Sequence, residues 1–351
     1  MNKCAILVWL TIVCSVAFAS GKGATSTSMH QSSACLPPYQ PRQVTPQKNA
    51  GYILPDGSIR VVGLDDMKGI IIRLDALFTR THPGIRFTFV KSNSLTAIYS
   101  LMFGTSAFAP VAISYPNSLT YRDIVHGSPF SIRVAHGSLS PDAELSPLGV
   151  IVNKSNPIEN LTMNQLSSIF SQQMRRPVLS HWDQVGLTGG IGSSEIHPYG
   201  LPWSDHYPSE DTGFGDYVFF HKMGGAPPVE NYSMVGTYAE VVRHVSSDPS
   251  SIGITSLNSV NADVKVLGIV NGEFNGPMHG TVAEIRSGKY PLDRCLRIYG
   301  RLVSGQPFDP LVKEYMRMVL SREGQQIIAD DPHGYIPLNP LEVQEELAAF
   351  Q

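Results

Sequence analysis

The sequence has no block of basic residues. Lys and Arg total 26 of 351 residues, against 29 Asp and Glu, and they are dispersed along the chain. This argues against a nucleic-acid-binding protein and against a protein that docks on anionic membrane surfaces. Beyond the first nineteen residues there is also no apolar run long enough to span a bilayer, and no repeat of fixed period. With 42% apolar and 16% charged residues, the chain is expected to be globular and long enough for two compact domains.

Sequence signatures of catalysis are also missing. The chain has no G-x-S-x-G motif, and no Ser/His/Asp set stands out among its many Ser and His residues. The glycine-rich run LTGGIGSS lacks the Lys of a nucleotide phosphate loop. The sequence therefore predicts no catalytic residues, no cofactor and no enzyme activity. A secreted hydrolase such as a phosphatase is a third hypothesis, but its nucleophile or metal cluster is not recognisable.

One group of residues has side chains of the types that bind metal ions. It consists of His197, Asp205, His206, Asp211 and His221. The spacing of these residues matches no zinc or calcium signature. The sequence therefore predicts no metal site.

The N-terminus has the layout of a secretory signal peptide. Lys3 gives a positive start, residues 4–18 are almost wholly apolar, and Ala17-Phe18-Ala19 is a small-x-small cleavage site. We predict a signal peptide over residues 1–19 and an exported, periplasmic protein without a stable membrane span. An N-terminal anchor helix is the alternative, although the apolar core is short for one.

Cleavage would leave two cysteines, Cys35 and Cys295. In an oxidising compartment they can form a disulfide or remain free thiols, and the sequence leaves both open. Residues 20–50 are rich in Ser, Thr, Gln, Pro and Gly, which predicts a flexible N-terminal arm and not a core element.

From residue 51 onwards, short β runs alternate with amphipathic helices. SIRVVG, GIRFTFVKS and FAPVAIS are typical of strands, and MKGIIIRLDALFTRT, which precedes Pro83, is typical of a helix. Thr162 is predicted to cap a later short helix, and residues 307–331 to form a helix pair. The alternation predicts α/β units around a largely parallel sheet.

Several segments, in a fixed order, resemble the PstS-like phosphate-binding proteins of bacterial ABC transporters. They are SIRVVGLDDM, THPGIRFTFVKSNSLTAIYSLMFGTSAFAPVAI, PLGVIVNKSNPIENLTMNQLSSIFS, HWDQVGLTGG and PLDRCLRIYGR with the C-terminal region to GYIPL. The resemblance spans roughly residues 55–340. It implies an α/β fold of the type II periplasmic-binding-protein class, in which two lobes are joined by two crossing hinge strands around a ligand cleft.

The same resemblance implies the domain boundaries. Lobe 1 would be discontinuous, with residues 51–146 and 286–351, and lobe 2 would be residues 147–285. SPLGVIVN and LDRCLRIYG would be the two crossings. Closure of the lobes about this hinge is the motion expected of such an architecture.

The implied ligand residues depart from the family pattern. The first loop, Gly-Ser-x-Thr in the family, carries Asp65 and Asp66 here, and the third loop, SGT in the family, carries Thr212 and Gly213. The second loop, with Ser92, Asn93 and Ser94, keeps polar donors at a helix start. The family's acidic residue falls on Ala107 and its phosphate-clamping Arg on Leu201.

The two aspartates bear directly on anion binding. They are predicted to cap the helix that begins near Met67, because Asp is favoured at helix N-termini. A carboxylate that occupies those amides would exclude an anion. Loss of a bidentate Arg would remove one of the strongest phosphate contacts.

The loop 203–217 allows two interpretations. Trp203, Tyr207 and Phe214 could stack on a larger, polar or cationic ligand, or the loop could pack on its own aromatics at the surface.

The leading hypothesis is a monomeric, exported solute-binding protein that captures phosphate or another small solute, with an ABC permease as a partner. The alternative is a repurposed module that binds a larger organic ligand or acts as an envelope interaction protein.

Overall fold

The computed structural model describes residues 36–112, 125–204, 209–211, 213–272 and 276–350. The predicted signal peptide, residues 20–35 of the predicted arm and Cys35 lie outside the described residues. The strands are β1 (Ile59–Leu64), β2 (Phe87–Ser92), β3 (Phe108–Val111), β4 (Gly127–His136), β5 (Leu148–Asn153), β6 (Asn160–Thr162), β7 (His197–Gly200), β8 (Ser233–Met234), β9 (Ser251–Ser256), β10 (Val264–Val266), β11 (Gly268–Val270), β12 (Cys295–Val303) and β13 (Ile336–Pro337).

The α-helices are α1 (Lys68–Thr81), α2 (Ser94–Met102), α3 (Met163–Phe170), α4 (Gly189–Gly192), α5 (Tyr238–Ser247), α6 (Val282–Arg286), α7 (Pro310–Val319), α8 (Arg322–Ala329) and α9 (Pro340–Ala348). A π-helical segment covers Asp216–Lys222. None of the helices in the described ranges is both long and apolar enough to cross a membrane.

Local sequence signals explain where these helices begin and end. Helix α1 stops just before Pro83, as predicted, and buries an apolar stripe at helical spacing: Ile70, Ile71, Leu74, Leu77 and Phe78. Thr162 caps α3 through a capping box with Gln165, which confirms the predicted cap. Residues 307–331 contain the predicted helix pair, α7 and α8.

The predicted largely parallel sheet is wrong in its strand directions. In lobe 1, β1 and β2 are parallel, but the neighbouring sheet β13-β4-β12-β3 is antiparallel. Strand β4 runs towards the crossing and β12 returns from it, so the two must point in opposite directions. Lobe 2 has the mixed sheet β10-β5-β9-β7-β8, in which β5 leaves the crossing and β9 runs back towards it.

Two short segments join the lobes. Residues 137–147 connect β4 to β5, and residues 287–294 connect α6 to β12. They lie side by side, because the Gly137 amide donates to the Arg294 carbonyl at 2.7 Å and the Leu148 amide to the Leu292 carbonyl at 3.0 Å. The strands that follow these segments do not themselves cross between the lobes. Strand β5 pairs within the sheet of lobe 2, and β12 pairs within the sheet of lobe 1.

Each lobe has its own hydrophobic core. The lobe 1 core draws its buried side chains from residues 36–145 and 296–343, with a smaller apolar cluster between α2 and the sheet. The lobe 2 core draws on residues 148–292, joined by Ile336. The fold is therefore the predicted two-lobe α/β architecture.

The described part of the N-terminal arm is packed against lobe 1. Leu36 is buried in the lobe 1 core, and Tyr39 donates from its amide to Glu323 at 2.7 Å and from its hydroxyl to Glu314 at 2.9 Å. A ring nitrogen of His82 lies 2.9 Å from the Arg42 carbonyl oxygen. The prediction that this segment is not a core element is therefore wrong for residues 36–50. Its scattered apolar and aromatic side chains pack against the core of lobe 1.

Asp75 makes the stability of lobe 1 depend on pH. Burial on α1 raises the pKa of its carboxyl to about 7, although the Tyr315 hydroxyl donates to it at 2.8 Å and opposes this shift. The unfolded carboxyl ionises near pH 4, so the folded state is penalised progressively as pH rises from about 4 to 7. We expect Asp75→Asn to raise the free energy of unfolding at pH 8 by about 2–4 kcal/mol, with much less effect at pH 4.

Urea denaturation of both proteins at the two pH values measures this effect. Asp183→Asn, at an exposed position, is the matched control and should change the free energy of unfolding by no more than about 0.5 kcal/mol. Parallel stability curves for Asp75→Asn and the parent would show that Asp75 is ionised normally in the folded state.

Candidate functional site between the lobes

The first two predicted ligand loops lie together at the carboxyl edge of the β1–β2 pair. Leu64 and Ser92 are partners in the parallel register, so both loops start at the same level. Asp65 is half exposed, and its carboxylate forms an ion pair with Lys91 at 3.2 Å. Lys91 therefore offsets part of the negative charge that Asp65 brings to this edge.

Asp66 turns away from the helix start. Its buried carboxylate accepts a hydrogen bond from the Tyr335 hydroxyl and one from the Glu144 amide at 3.2 Å, and it lies 3.6 Å from the His333 ring. The predicted capping is wrong, because neither the 3-10 turn Asp65–Met67 nor α1 has a side-chain cap. Asp66 instead anchors the first crossing and the C-terminal region to β1.

The second loop gives α2 its start. Asn93 accepts a hydrogen bond from the Thr96 amide at 2.8 Å and is the N-cap of the helix. The Ser94 hydroxyl accepts from the Ala112 amide at 3.3 Å, which brings the end of β3 to the same place. The Thr96 amide is used by this cap, so the donors that the loop can offer are the serine hydroxyls, the Asn93 side-chain NH2 and the other backbone amides at the start of α2.

Asn258 holds lobe 2 against the first crossing. Its side-chain amide donates to the carbonyl oxygens of Ser140 at 3.1 Å and Ala143 at 3.0 Å. Its backbone amide donates to the Ser146 hydroxyl at 3.3 Å. These bonds hold the carboxyl end of β9 beside the first crossing, the segment that also donates to Asp66 through the Glu144 amide.

Arg294 is the buried cation of the hinge. Its side chain is 6% exposed, its Nε donates to the Ser146 carbonyl at 2.8 Å, and its Nη1 is ion-paired with Asp211. Nη2 is buried and has no hydrogen-bond partner among the residues that the structure describes. Buried guanidinium nitrogens are normally hydrogen-bonded, so this nitrogen is available for a further acceptor.

Asp211 fixes that guanidinium and the third loop at once. It accepts from the Tyr238 hydroxyl at 2.7 Å and from the Gly213 amide at 3.0 Å. Burial alone would raise the pKa of this carboxyl, but Arg294 and these hydrogen bonds hold it below its usual range. Asp211 is therefore a carboxylate that orients Arg294 next to Gly213.

The remaining predicted positions lie elsewhere or outside the described residues. Leu201 is fully buried in the lobe 2 core and Ala107 is buried in the lobe 1 core, so neither position offers a polar cleft side chain. Thr212 lies outside the described residues. Arg294 is not among the predicted ligand residues, although an arginine inside the predicted crossing LDRCLRIYG is a signal that could have identified it.

The aromatic loop is largely an element of the lobe 2 core. Phe214 is fully buried and packs edge-on against Tyr238, and Trp203 packs against the same core. The interpretation in which Phe214 stacks on a ligand is therefore wrong, since the ring has no surface left for one. Tyr207 lies outside the described residues.

Two histidines of the possible metal-ligand group, His197 and His221, each form a pair with a different aspartate. His197 contacts Asp248 at 2.6 Å and His221 contacts Asp216 at 3.2 Å. Asp205 and His206 lie outside the described residues.

Comparison with known proteins identifies the family. A family model described as a PBP superfamily domain matches residues 49–323. The phosphate-binding protein PstS of Pseudomonas aeruginosa is 27% identical over 335 residues, covering 93% of this chain and 94% of that protein. The phosphate-binding protein PstS 2 of Streptococcus agalactiae is 38% identical over 95 residues, which are 27% of this chain and 29% of that protein.

Two solved structures share the fold. PstS of Borrelia burgdorferi superimposes with a TM-score of 0.53 at 18% identity, over 80% of this chain and 99% of that one. An ABC-type phosphate transport receptor of Vibrio cholerae gives a TM-score of 0.51 at 20% identity, over 79% and 99%. The predicted resemblance is confirmed, and the chain belongs to the PBP superfamily.

Proposed function

We propose that this protein is an exported solute-binding protein that captures phosphate or a similar oxyanion between its lobes and acts without catalysis. The observation that carries this proposal is the buried Arg294, whose Nη2 has no partner among the described residues and which Asp211 holds beside Gly213. An oxyanion is the ligand class that a fixed guanidinium recognises best.

The charge balance around the cleft supports an anionic ligand. Lys91 is paired with Asp65, and Asp66 is directed towards Tyr335 and Glu144. The two aspartates therefore repel an anion less than their position in the sequence suggests. The proposed contacts are Arg294 and the three loops, in which Asp65 and Asp66 can offer only their backbone amides. The other loop residues are Ser92, Asn93, Ser94, Thr212 and Gly213.

The similarity to proteins named for phosphate binding supports the same ligand. In this proposal a monomer delivers the solute to an ABC permease after signal-peptide cleavage. Lobe 1 comprises residues 51–146 and 286–351, and lobe 2 comprises residues 147–285. The separate cores support the boundary near residue 147, whereas Tyr290 and Leu292 of the lobe 2 core lie beyond residue 285.

A second candidate is a module with the same lobes and a repurposed site for a larger organic ligand. It is favoured by Leu201, which lies in the lobe 2 core where the family has its clamping Arg, and by the carboxylate of Asp65 near the cleft. The two candidates differ in the charge of the ligand that stabilises the protein.

A thermal-shift panel separates them. We expect phosphate at millimolar concentration to raise the melting temperature, because a ligand that binds only the folded state stabilises it by mass action. Chloride at matched ionic strength is the control for non-specific salt effects. No shift with phosphate, combined with a shift by neutral or cationic organic solutes, would replace the first candidate by the second.

A further inference from the structure

The hinge contains a second polar cluster on the other side of Arg294. His136 ends β4 and Cys295 begins β12, and the two are directly opposite in the antiparallel register. Asp293 precedes Cys295 by two residues in the second crossing. Directly opposed residues on neighbouring strands project to the same side, so the fold itself brings the histidine and the cysteine together.

The donor atoms of this cluster lie within bonding range of one ion. The His136 Nδ1 lies 2.6 Å from the Asp293 Oδ2, and the Cys295 Sγ lies 3.7 Å from that oxygen and 4.0 Å from that nitrogen. Ligand atoms around a tetrahedral zinc ion are separated by about 3.5 Å. The distances from the Cys295 Sγ to the two other atoms are already close to this value. The His136 Nδ1 and the Asp293 Oδ2 would have to move apart by somewhat less than 1 Å.

One carboxylate oxygen of the cluster, the Asp293 Oδ1, lacks a bonding partner among the described residues. The Asp293 side chain is 10% exposed, and its Oδ1 is buried without a hydrogen-bond partner in the described part of the chain. A buried carboxylate oxygen without a donor carries a desolvation cost that a cation would remove. The unpartnered Oδ1 is a second indication of a site, in addition to the types of the three residues and the distances between them.

The other nitrogen of His136 has the support that metal-binding histidines require. Its Nε2 lies 3.0 Å from Glu342, which is fixed in turn by the Asn339 amide at 3.0 Å and by Arg133 at 3.0 Å. A carboxylate on the distal ring nitrogen orients the ring so that Nδ1, which contacts Asp293 in this structure, faces the cluster. Cys295, whose sulfur completes the cluster, is a free cysteine and only partly buried as a residue.

We propose that His136, Asp293 and Cys295 bind a divalent transition-metal ion of the zinc class at the hinge. Imidazole, carboxylate and thiolate together suit zinc better than calcium or magnesium, which prefer oxygen ligands alone. Binding replaces the protons on the His136 Nδ1 and the Cys295 sulfur, which leave to solvent as the two metal bonds form. A water molecule would complete the coordination. This site does not depend on the proposed anion site.

The test is a metal titration of the intact, EDTA-treated protein. We expect about one Zn²⁺ per chain by elemental analysis after desalting. Co²⁺ should give tetrahedral visible bands with a sulfur-to-cobalt charge-transfer band, which Zn²⁺ abolishes. Retention of less than about 0.1 Zn²⁺ per chain, or octahedral Co²⁺ without the charge-transfer band, would overturn the proposal.

Two variants locate the ion. Cys295→Ser should remove the charge-transfer band and weaken Zn²⁺ binding at least about tenfold, with the same circular dichroism spectrum. His197→Ala is the matched control, since His197 forms an exposed pair with Asp248 at the same 2.6 Å but without a cysteine. A band that persists in Cys295→Ser contradicts the proposal. So does a Cys35–Cys295 disulfide in the purified protein, found by peptide mapping without reductant, since it would consume the thiolate.

Discussion

Replacing Arg294 with glutamine is expected to weaken phosphate binding by about 10- to 100-fold. The substitution removes the charge-assisted donors of a guanidinium that is held between Ser146 and Asp211, and such bonds contribute about 1.5–3 kcal/mol. Isothermal titration calorimetry of the parent and the variant measures the ratio of dissociation constants. Arg301→Gln, on β12 and seven residues after Arg294, should bind phosphate like the parent.

The conservative variant refines this prediction. Arg294→Lys keeps the charge but loses the planar fork, so we expect an affinity between those of the parent and of Arg294→Gln. Each variant must first show a cooperative thermal transition. Equal phosphate affinity in the parent and in a folded Arg294→Gln would mean that the free Nη2 does not contact the ligand.

Replacing Asp211 with alanine is expected to lower the free energy of unfolding by about 3–5 kcal/mol. The change leaves the buried Arg294 without its carboxylate and the Tyr238 hydroxyl without its acceptor, and removal of one partner of a buried ion pair carries a cost of this size. Urea denaturation at pH 7 measures the loss. Asp183→Ala, at an exposed position, should change the value by no more than about 0.5 kcal/mol.

A double variant shows whether the pair itself is responsible. In Asp211→Ala/Arg294→Met neither charge of this pair is left buried, so part of the lost stability should return. A loss below about 1 kcal/mol in Asp211→Ala, or additive losses in the double variant, would show that Arg294 does not depend on Asp211.

Local patterns predicted the elements and not their pairing. The α1 stripe, the stop before Pro83 and the Thr162 capping box are encoded within a few residues, and all three are present. The antiparallel direction of β12 depends on the path of the chain through the other lobe, which no local pattern records. For the same reason, compositional bias made residues 36–50 look like a free arm although Leu36 lies in a core.

The candidate site was predictable where it depends on backbone position and not where it depends on long-range partners. The first two loops start at the same edge of β1 and β2, since each directly follows one of these strands. Asp66, however, is bound by Tyr335, 269 residues away, and so does not cap the helix beside it. Arg294 reaches Asp211 only after the chain has completed lobe 2, so alignment to the family's clamping position led to Leu201 instead.

A crystal structure of the protein grown with phosphate tests the central claim most directly. We expect one phosphate between the lobes, with an oxygen about 3 Å from the Arg294 Nη2 and the Asp211 ion pair intact. Phosphate bound elsewhere, or an empty cleft at saturating phosphate with the Arg294 Nη2 bonded to protein groups, would contradict it.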